Sequence, residues 1–288
     1  MTTISKRLRP VLEEVRERCD TDARLALDPV AVVHRYELRE DKELVGLVAS
    51  AVAFGNVKAL RAKLEDALFR LGPEVSIVAA DEAELRSRLR GWKHRVYRDD
   101  DLVRLLLGAR RMQLEHGSLG DFFEKEFVRT KSLREALAAL VAGIRRAGGL
   151  GKKSRGAAHI LADPSGASGC KRLLLYLRWM ARPADGVDLG LWRVPSSELL
   201  IPVDTHIHKL ARNLGLTNRK APSWATAEEI TAKLRRFDPL DPVKYDFSLC
   251  HLGMARRCPS RRDPTLCEGC GVKEVCRHWR RRRPAPSR

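Results

Sequence analysis

The sequence predicts an all-α protein, and three observations support this class. No proline occurs between Pro73 and Pro164, a stretch rich in Leu, Ala, Arg and Glu, which are strong helix formers. Apolar residues recur there at helical spacing, as in Leu133, Leu137 and Leu140. No run of alternating apolar and polar residues indicates a sheet. These signals together predict about ten to twelve helices.

Local signals predict where several helices begin. Asp28-Pro29 and Asp241-Pro242 each combine an N-cap residue with proline at the first helical position. The second pair predicts a helix from Pro242 to Ala255. Thr226 and Glu229 have the spacing of a capping box, in which each side chain accepts a hydrogen bond from the other residue's backbone.

The charge of the chain indicates a polyanionic partner. There are 55 Lys and Arg against 37 Asp and Glu, which gives a net charge of +18. Nucleic acid is the default polyanion for such an excess. An anionic membrane is the weaker alternative, because that interpretation requires a basic amphipathic anchor or an apolar insert. Six of the cations lie in the last twelve residues, and the tail 280–288 is predicted to be disordered.

No segment of the sequence predicts a membrane span or a secretory signal. The longest apolar run, Leu44 to Phe54, has eleven residues and is too short to cross a bilayer. The first ten residues contain no apolar segment after their basic residues. We therefore expect a cytoplasmic protein without a membrane partner.

Four of the seven cysteines lie close together in the sequence. They have the spacing Cys-x8-Cys-x2-Cys-x5-Cys and are Cys258, Cys267, Cys270 and Cys276. In a reducing compartment, a metal site is the preferred interpretation of such a group, ahead of disulfides. Four thiolates on short loops can bind an iron–sulfur cluster or a tetrahedral zinc ion. The unequal loops favour the cluster, and zinc is the alternative.

Asp204 begins a predicted helix and has two possible roles. The apolar positions Ile207, Leu210 and Leu214 mark the helix, and Asp204 occupies its N-cap position. A cap is the simpler interpretation. The positive end of the helix dipole also stabilises a negative charge there, and a carboxylate beside a developing oxocarbenium ion is what a glycoside-cleaving enzyme requires.

A second candidate, Lys171, follows a tight turn. A helix is predicted to end near Ala162, and another to begin near Lys171, with Pro164 to Gly169 between them. Backbone N–H groups at such a helix start can bind a phosphate. The dipole of the second helix disfavours a cation in its first turn, so Lys171 is a candidate nucleophile. An ordinary surface lysine is the alternative.

The hairpin with its lysine, the segment Val203-Asp204-Thr205-His206 and the four-cysteine loop together resemble the helix–hairpin–helix DNA glycosylase superfamily. The resemblance is to the iron–sulfur branch typified by endonuclease III, and it covers roughly residues 40–276. Three features depart from the usual pattern of the family. The hairpin is Asp163-Pro164-Ser165-Gly166-Ala167-Ser168-Gly169, the first cysteine gap is eight residues, and the connection from Lys171 to Asp204 is long. The hairpin and the connection are similar to those of archaeal oxidised-guanine glycosylases.

The resemblance implies a role for each matching residue. Asp204 is the expected catalytic carboxylate, and Lys171 is the expected Schiff-base lysine. The four clustered cysteines are expected to bind a [4Fe-4S] cluster, and Asn56 is expected to fill the gap left by a flipped base. The expected DNA- or substrate-binding residues are Asn56, Gly55, Ser165, Gly166, Ser168, Gly169 and Arg172. Further candidates for the base pocket are Phe54, Trp92 and Trp179.

The resemblance also implies two lobes and a function. Residues 41–165 are expected to form a six-helix barrel-like lobe, and residues 1–40 with 166–279 a cluster-containing helical lobe. The expected function is a DNA-repair glycosylase that excises a damaged, for example oxidised, base, with or without Schiff-base lyase activity. Its expected partner is double-stranded DNA, and the protein is expected at the nucleoid when it is bound to DNA. It is expected to be a monomer. The alternatives are a noncatalytic DNA- or RNA-binding protein on this scaffold and an enzyme that acts on RNA.

Overall fold

A computed structural model describes residues 3–151, 154–259 and 261–279. The chain forms two compact units. One is Leu25–Leu199, and the other comprises the described residues of Met1–Arg24 and Leu200–Arg288. The boundaries of these units differ from those of the predicted lobes, 41–165 and 1–40 with 166–279. The tail 280–288, predicted to be disordered, lies outside the described residues.

The predicted all-α class is confirmed, with more helices in the described part of the chain than expected. The α-helices there are α1 (Thr3–Glu17), α2 (Thr21–Leu25), α3 (Arg39–Val52), α4 (Val57–Leu71), α5 (Val75–Val78), α6 (Glu82–Leu89), α7 (Asp99–His116), α8 (Leu119–Thr130), α9 (Leu133–Gly148), α10 (Arg155–Ile160), α11 (Lys171–Ala181), α12 (Thr205–Leu214), α13 (Trp224–Arg235) and α14 (Asp246–Ala255). Short 3-10 helices occupy Pro29–Arg35, Ser196–Glu198 and Lys273–Val275.

One small β-ladder interrupts the helices. Strands β1 (Lys93–His94) and β2 (Tyr97–Arg98) pair antiparallel, with Lys93 opposite Arg98 and His94 opposite Tyr97. No sheet was predicted here, because strands of two residues are too short to show an alternating pattern. The ladder matters here because it presents His94 and Tyr97 to the interior, where both are buried.

Helix α3 is the central element of the unit Leu25–Leu199. Eleven of its fourteen residues are buried. It contains most of the long apolar run of the sequence, and a helix that is apolar on nearly all sides belongs in a protein core. The 3-10 helix Pro29–Arg35 and helix α11 both pack against it. The run therefore forms the middle of a core.

Helices α7 and α9 approach each other closely through a pair of glycines. A Cβ atom added at Gly108 would lie 2.2 Å from the Ile144 carbonyl oxygen, and one added at Gly148 would lie 2.0 Å from the Arg104 carbonyl oxygen. Neither position has room for any larger residue. Glycine is required there because the two helix backbones touch.

A buried carboxylate joins α3 to three other segments of the same unit. Glu43 is fully buried and accepts hydrogen bonds from two backbone N–H groups at the start of α8, at Leu119 (2.9 Å) and Gly120 (3.1 Å). The Gln113 amide (2.9 Å) and the Trp192 indole (2.8 Å) also donate to it. Buried carboxylates are tolerated when donors surround them in this way.

The second unit gathers the N-terminal helix and the C-terminal part of the chain. Helix α12 packs against α14, and α1 packs against α14 and the 3-10 helix Lys273–Val275. The Tyr245 hydroxyl donates to Glu13 in α1 at 2.6 Å, and the Lys244 amine lies 2.9 Å from the same carboxylate. These contacts attach α1 to residues more than two hundred positions later in the sequence.

Of three predicted helix starts, two were partly right and one was wrong. Asp28 is an N-cap, but of a 3-10 helix. The helix predicted to start at Pro242 begins four residues later, at Asp246, because residues 242–245 form a turn. The capping box at Thr226 was wrong, since Ser223 caps α13 by accepting from the Thr226 N–H at 3.3 Å.

Among the described residues, no helix combines the length and the apolar character that crossing a membrane requires.

Candidate functional site

The turn predicted before Lys171 is present between α10, which ends at Ile160, and α11, which begins at Lys171. Asp163 organises it, because its carboxylate accepts from the Ser165 N–H at 3.0 Å and its carbonyl from the Gly166 N–H at 3.1 Å. The Arg134 guanidinium donates to the carbonyls of Pro164 (2.8 Å) and Gly166 (3.0 Å). The Asp163 carboxylate therefore shapes the turn from within, and the Arg134 guanidinium fixes it from outside.

Four of the predicted DNA-binding residues lie on this turn. Ser165, Gly166 and Ser168 are exposed, and Gly169 is half-buried. The Ser168 hydroxyl accepts from the Cys170 N–H at 3.1 Å, and Cys170 enters α11 in the left-handed conformation, with φ 47°. Burial raises the pKa of the Cys170 thiol.

The first two residues of α11 turn toward the end of α3. The last carbonyl groups of a helix have no partner within the helix and must find one elsewhere. The Lys171 amine donates to the Ala53 carbonyl at 3.1 Å, and the Arg172 guanidinium donates to the Ala51 carbonyl at 2.7 Å. Cations near a helix C-terminus also complement the negative end of its dipole. Lys171 and Arg172 together cap α3.

Arg172 also binds the ladder and α10. Its guanidinium donates to the Tyr97 hydroxyl and to the His159 carbonyl. The Tyr97 hydroxyl lies 2.8 Å from Nδ1 of His159 and 3.2 Å from the Ala51 carbonyl oxygen. Arg172, predicted to contact DNA, thus directs its guanidinium to groups of the protein itself. Burial lowers the pKa of Arg172 and raises that of Tyr97 to about 12.

The Phe54 ring lies at the centre of these groups. Its centroid is 5.0 Å from that of His94, 5.2 Å from Tyr97 and 4.9 Å from His159, all in edge-to-face arrangements. The Arg172 guanidinium lies 5.3 Å from the Phe54 centroid. Burial, followed by the charges of neighbouring arginines, lowers the pKa of His159 to about 4. The His159 imidazole and the Phe54 ring therefore both lie close to the end of α3, where the Lys171 amine donates its hydrogen bond.

The turn after α3 carries the two other predicted residues of this region. Gly55 and Asn56 are both exposed, and Gly55 has φ +91°. The Asn56 side chain accepts from the Ala59 N–H at 3.1 Å and caps α4. Trp92 and Trp179, proposed as pocket residues from the sequence, are only 1% and 0% exposed. They are core residues, because the indole rings have no open face for a base.

Asp204 caps α12, as predicted. One carboxylate oxygen accepts from the N–H groups of His206 and Ile207, each at 2.8 Å. The other oxygen lies 3.6 Å from the thiol sulfur of Cys250, which donates to it from α14. Asp204 is half-buried. The carboxylate is thus held in one orientation by the start of its own helix and by a thiol on a neighbouring helix.

The four clustered cysteines line one cavity in the second unit. The cavity has about 320 Å³ of empty space, including the part open to solvent, and Leu210 and Asn213 of α12 contribute to its wall. The Asn213 amide donates to the Cys258 sulfur at 3.3 Å. Burial raises the pKa of Cys258 and of Cys276, and neighbouring thiols add to the effect. In the described part of the chain, no three His, Cys, Asp or Glu side chains converge closely enough for a single metal ion.

Tyr97, His159 and Asn213 were not predicted as site residues. Tyr97 and His159 meet the end of α3 only through tertiary contacts, so the sequence carried no signal for them. The sequence did carry a signal for Asn213. It lies three residues after Leu210, where helical periodicity predicts an apolar residue facing the core, and a polar residue at such a position needs a partner.

The low pKa of His159 predicts a pH-dependent stability. The ring is neutral in the folded protein down to about pH 4, whereas an unfolded histidine takes up a proton below about pH 6.5. The unfolded state therefore binds more protons between these values, and stability is lost as the pH falls through that window. His159→Gln removes this loss. The free energy of unfolding in urea is measured for both proteins. As the pH falls from 7 to 4.5, the variant should lose less unfolding free energy than wild type. A difference between the two proteins that is the same at both pH values would contradict the assignment.

Comparisons with other proteins identify the family. The family model described as "Protein of unknown function (DUF2400)" matches residues 28–255. No curated protein and no solved structure matches the chain. The matched segment extends from the cap of the first 3-10 helix to the last residue of α14, so it includes the hairpin, Lys171 and Asp204 and stops short of the cysteine loop. Since it covers most of the sequence, the chain belongs to the DUF2400 family.

Proposed function

We propose that the protein is a DNA-repair glycosylase that excises a damaged base and has Schiff-base lyase activity through Lys171. The observation that carries the proposal is the position of the Lys171 amine. It lies in the first turn of the helix that follows the hairpin, and it donates to the Ala53 carbonyl two residues before the exposed Gly55. No described carboxylate lies within ion-pair distance of this amine. A positioned lysine that is not engaged in an ion pair suits a nucleophile.

The surroundings of Lys171 support a nucleic-acid substrate. The exposed turn of residues 165–168 precedes the start of α11, and a helix start with free backbone N–H groups suits a phosphate. Gly55 and Asn56 follow directly on the segment that binds the amine. An enzyme that acts on a base must first extrude it from the duplex, so an exposed turn beside the nucleophile is a suitable place for the residue that fills the gap.

In the proposed chemistry, Asp204 and Lys171 have the separate roles that the resemblance to the glycosylases implies for them. The carboxylate of Asp204 stabilises the positive charge that develops on the sugar as its bond to the base breaks. The Lys171 nitrogen forms a bond to C1′ of the sugar, and the leaving base takes up the proton that the amine loses. The bond from C1′ to the ring oxygen then breaks, this oxygen takes up a proton from water, and a protonated imine results.

We further propose that Cys258, Cys267, Cys270 and Cys276 bind a [4Fe-4S] cluster, with zinc as the alternative. All four cysteines line one cavity, and the Asn213 amide donates to the Cys258 sulfur, as hydrogen-bond donors commonly do to metal-bound thiolates. Such a group, when bound, supplies cross-links between segments of the loop. The residues around it keep the loop in shape: the Arg256 guanidinium donates to the carbonyls of Glu268 and Gly269, at 2.9 and 2.7 Å.

A noncatalytic nucleic-acid-binding protein is the second candidate, and one observation favours it. Lys171, Asp204 and Asn56 all cap helices, so each has a structural role that is sufficient to explain its presence. The exposed hairpin and the net charge of +18 would then serve binding alone.

Borohydride trapping distinguishes these functions. Duplexes that carry oxidised guanine, uracil, thymine glycol or an abasic site are incubated with the protein, and borohydride reduces any imine to a stable amine. Wild type should form a covalent adduct with at least one of these duplexes. Lys171→Gln should abolish the adduct, because the nucleophilic amine is lost, whereas Lys220→Gln, which removes an exposed lysine elsewhere, should leave it unchanged.

Asp204→Asn separates the two steps of the proposed reaction. Asparagine also caps helices well, so the fold should persist, and base release should fall by about 10² or more, the usual scale for an electrostatic group. The adduct with abasic DNA should survive, because no base has to leave. Base release that survives Lys171→Gln but is lost in Asp204→Asn would indicate a glycosylase that uses water. Duplex binding without release from any lesion would favour the noncatalytic candidate.

Absorption and metal analysis test the cluster. Protein purified without oxygen should be brown, absorb near about 400 nm and contain iron and sulfide. Cys258→Ser should lose most of this absorption, whereas Cys19→Ser, which alters a cysteine far from the loop in sequence, should retain it. Stoichiometric zinc without iron would establish the alternative, and wild-type protein without either metal would contradict the proposed site.

A further inference from the structure

A second cavity in the second unit is lined by six residues, of which four are basic. It has about 580 Å³ of empty space, including the part open to solvent, and its wall is formed by Lys209, Arg212, Asn213, Asn218, Arg277 and His278. None of the described residues in this wall is acidic. Lys209 and Arg212 are three residues apart in α12, so their side chains lie on the same face of the helix.

The cations of this cavity are not neutralised by the protein. Many arginines elsewhere on the surface lie in ion pairs, as Arg35 does with Glu65 at 2.6 Å. Lys209, Arg212 and Arg277, by contrast, have no carboxylate within ion-pair distance among the described residues. Three positive charges that share a concave wall repel one another. Such an arrangement becomes favourable when an anion lies between them.

Arg277 is held in place before any ligand arrives. Its backbone N–H donates to the Asn213 carbonyl at 2.7 Å, and its guanidinium donates to the Asn218 side-chain oxygen at 2.7 Å. The guanidinium also passes close to Gly215, where an added Cβ would lie 3.1 Å from two of its nitrogens. A larger residue at this position would crowd the guanidinium. A fixed guanidinium loses little conformational entropy when it binds a ligand.

We propose that this cavity binds a phosphate group, through Arg277, Arg212 and Lys209. A planar guanidinium offers paired N–H donors that match phosphate oxygens, and a lysine amine adds a compact charge. The phosphate belongs either to a nucleic-acid backbone or to a small phosphorylated molecule, since the two present the same oxygens. The inference does not depend on base excision, and it stands if that proposal fails. Arg277 directly follows Cys276, so its position does depend on the fold of the cysteine loop.

The test uses two double variants with the same change in net charge. Lys209→Gln with Arg212→Gln removes two cations from the cavity. Lys220→Gln with Arg236→Gln removes an exposed lysine and an exposed arginine of the same unit that do not line it. Binding of inorganic pyrophosphate is measured by calorimetry. Binding of an undamaged DNA duplex is measured by fluorescence anisotropy over a series of salt concentrations.

The cavity variant should differ from its control in at least one of these assays. If the ligand is backbone phosphate, the cavity variant should bind duplex at least about tenfold more weakly at low salt. Its slope of log affinity against log salt should be smaller by about 0.9 for each phosphate that the variant no longer neutralises. If the ligand is a small phosphorylated molecule, only pyrophosphate binding should weaken, by about tenfold or more. Equal behaviour of the two double variants in both assays would overturn the proposal.

Discussion

The carbonyl groups at the end of α3 lack partners within their own helix, and the candidate site forms around them. Helix α3 is buried along nearly its whole length, so its last carbonyls cannot rely on water and require donors from the protein. Lys171 and Arg172 supply them by donating to Ala53 and Ala51. This requirement draws the first turn of α11 inward. It brings the Lys171 amine to the end of α3 and beside the Gly55-Asn56 turn.

The same contacts explain why an aromatic and imidazole cluster surrounds this point. Arg172 carries its charge into a partly apolar environment, where it needs acceptors and a polarisable ring. Tyr97, the His159 carbonyl and the Phe54 ring provide them. The residues with a proposed chemical role also have a structural one. Lys171 and Asp204 each stabilise a helix end, and each presents a functional group that the proposed reaction uses.

Local signals made part of this arrangement predictable from the sequence. The all-α class followed from helical periodicity, and the boundaries of the hairpin and the cap at Asp204 followed from turn and capping residues. The cluster around Phe54 was not predictable, because Arg172 lies 75 positions from Tyr97 and 121 from Ala51 in the sequence. Two helix starts were misplaced, because Ser223 and not Thr226 caps α13, and because residues 242–245 form a turn before α14. The β-ladder was too short to leave a pattern.

The proposed chemistry can be checked at a single atom, by identifying the residue that carries the reduced DNA adduct. The trapped wild-type protein is digested with protease and nuclease, and the modified peptide is sequenced by mass spectrometry. We predict that the sugar remnant is attached to Nζ of Lys171, in the peptide that follows the hairpin. Attachment to another lysine, or to the N-terminal amine, would contradict the proposal, because the nucleophile would then lie away from the end of α3.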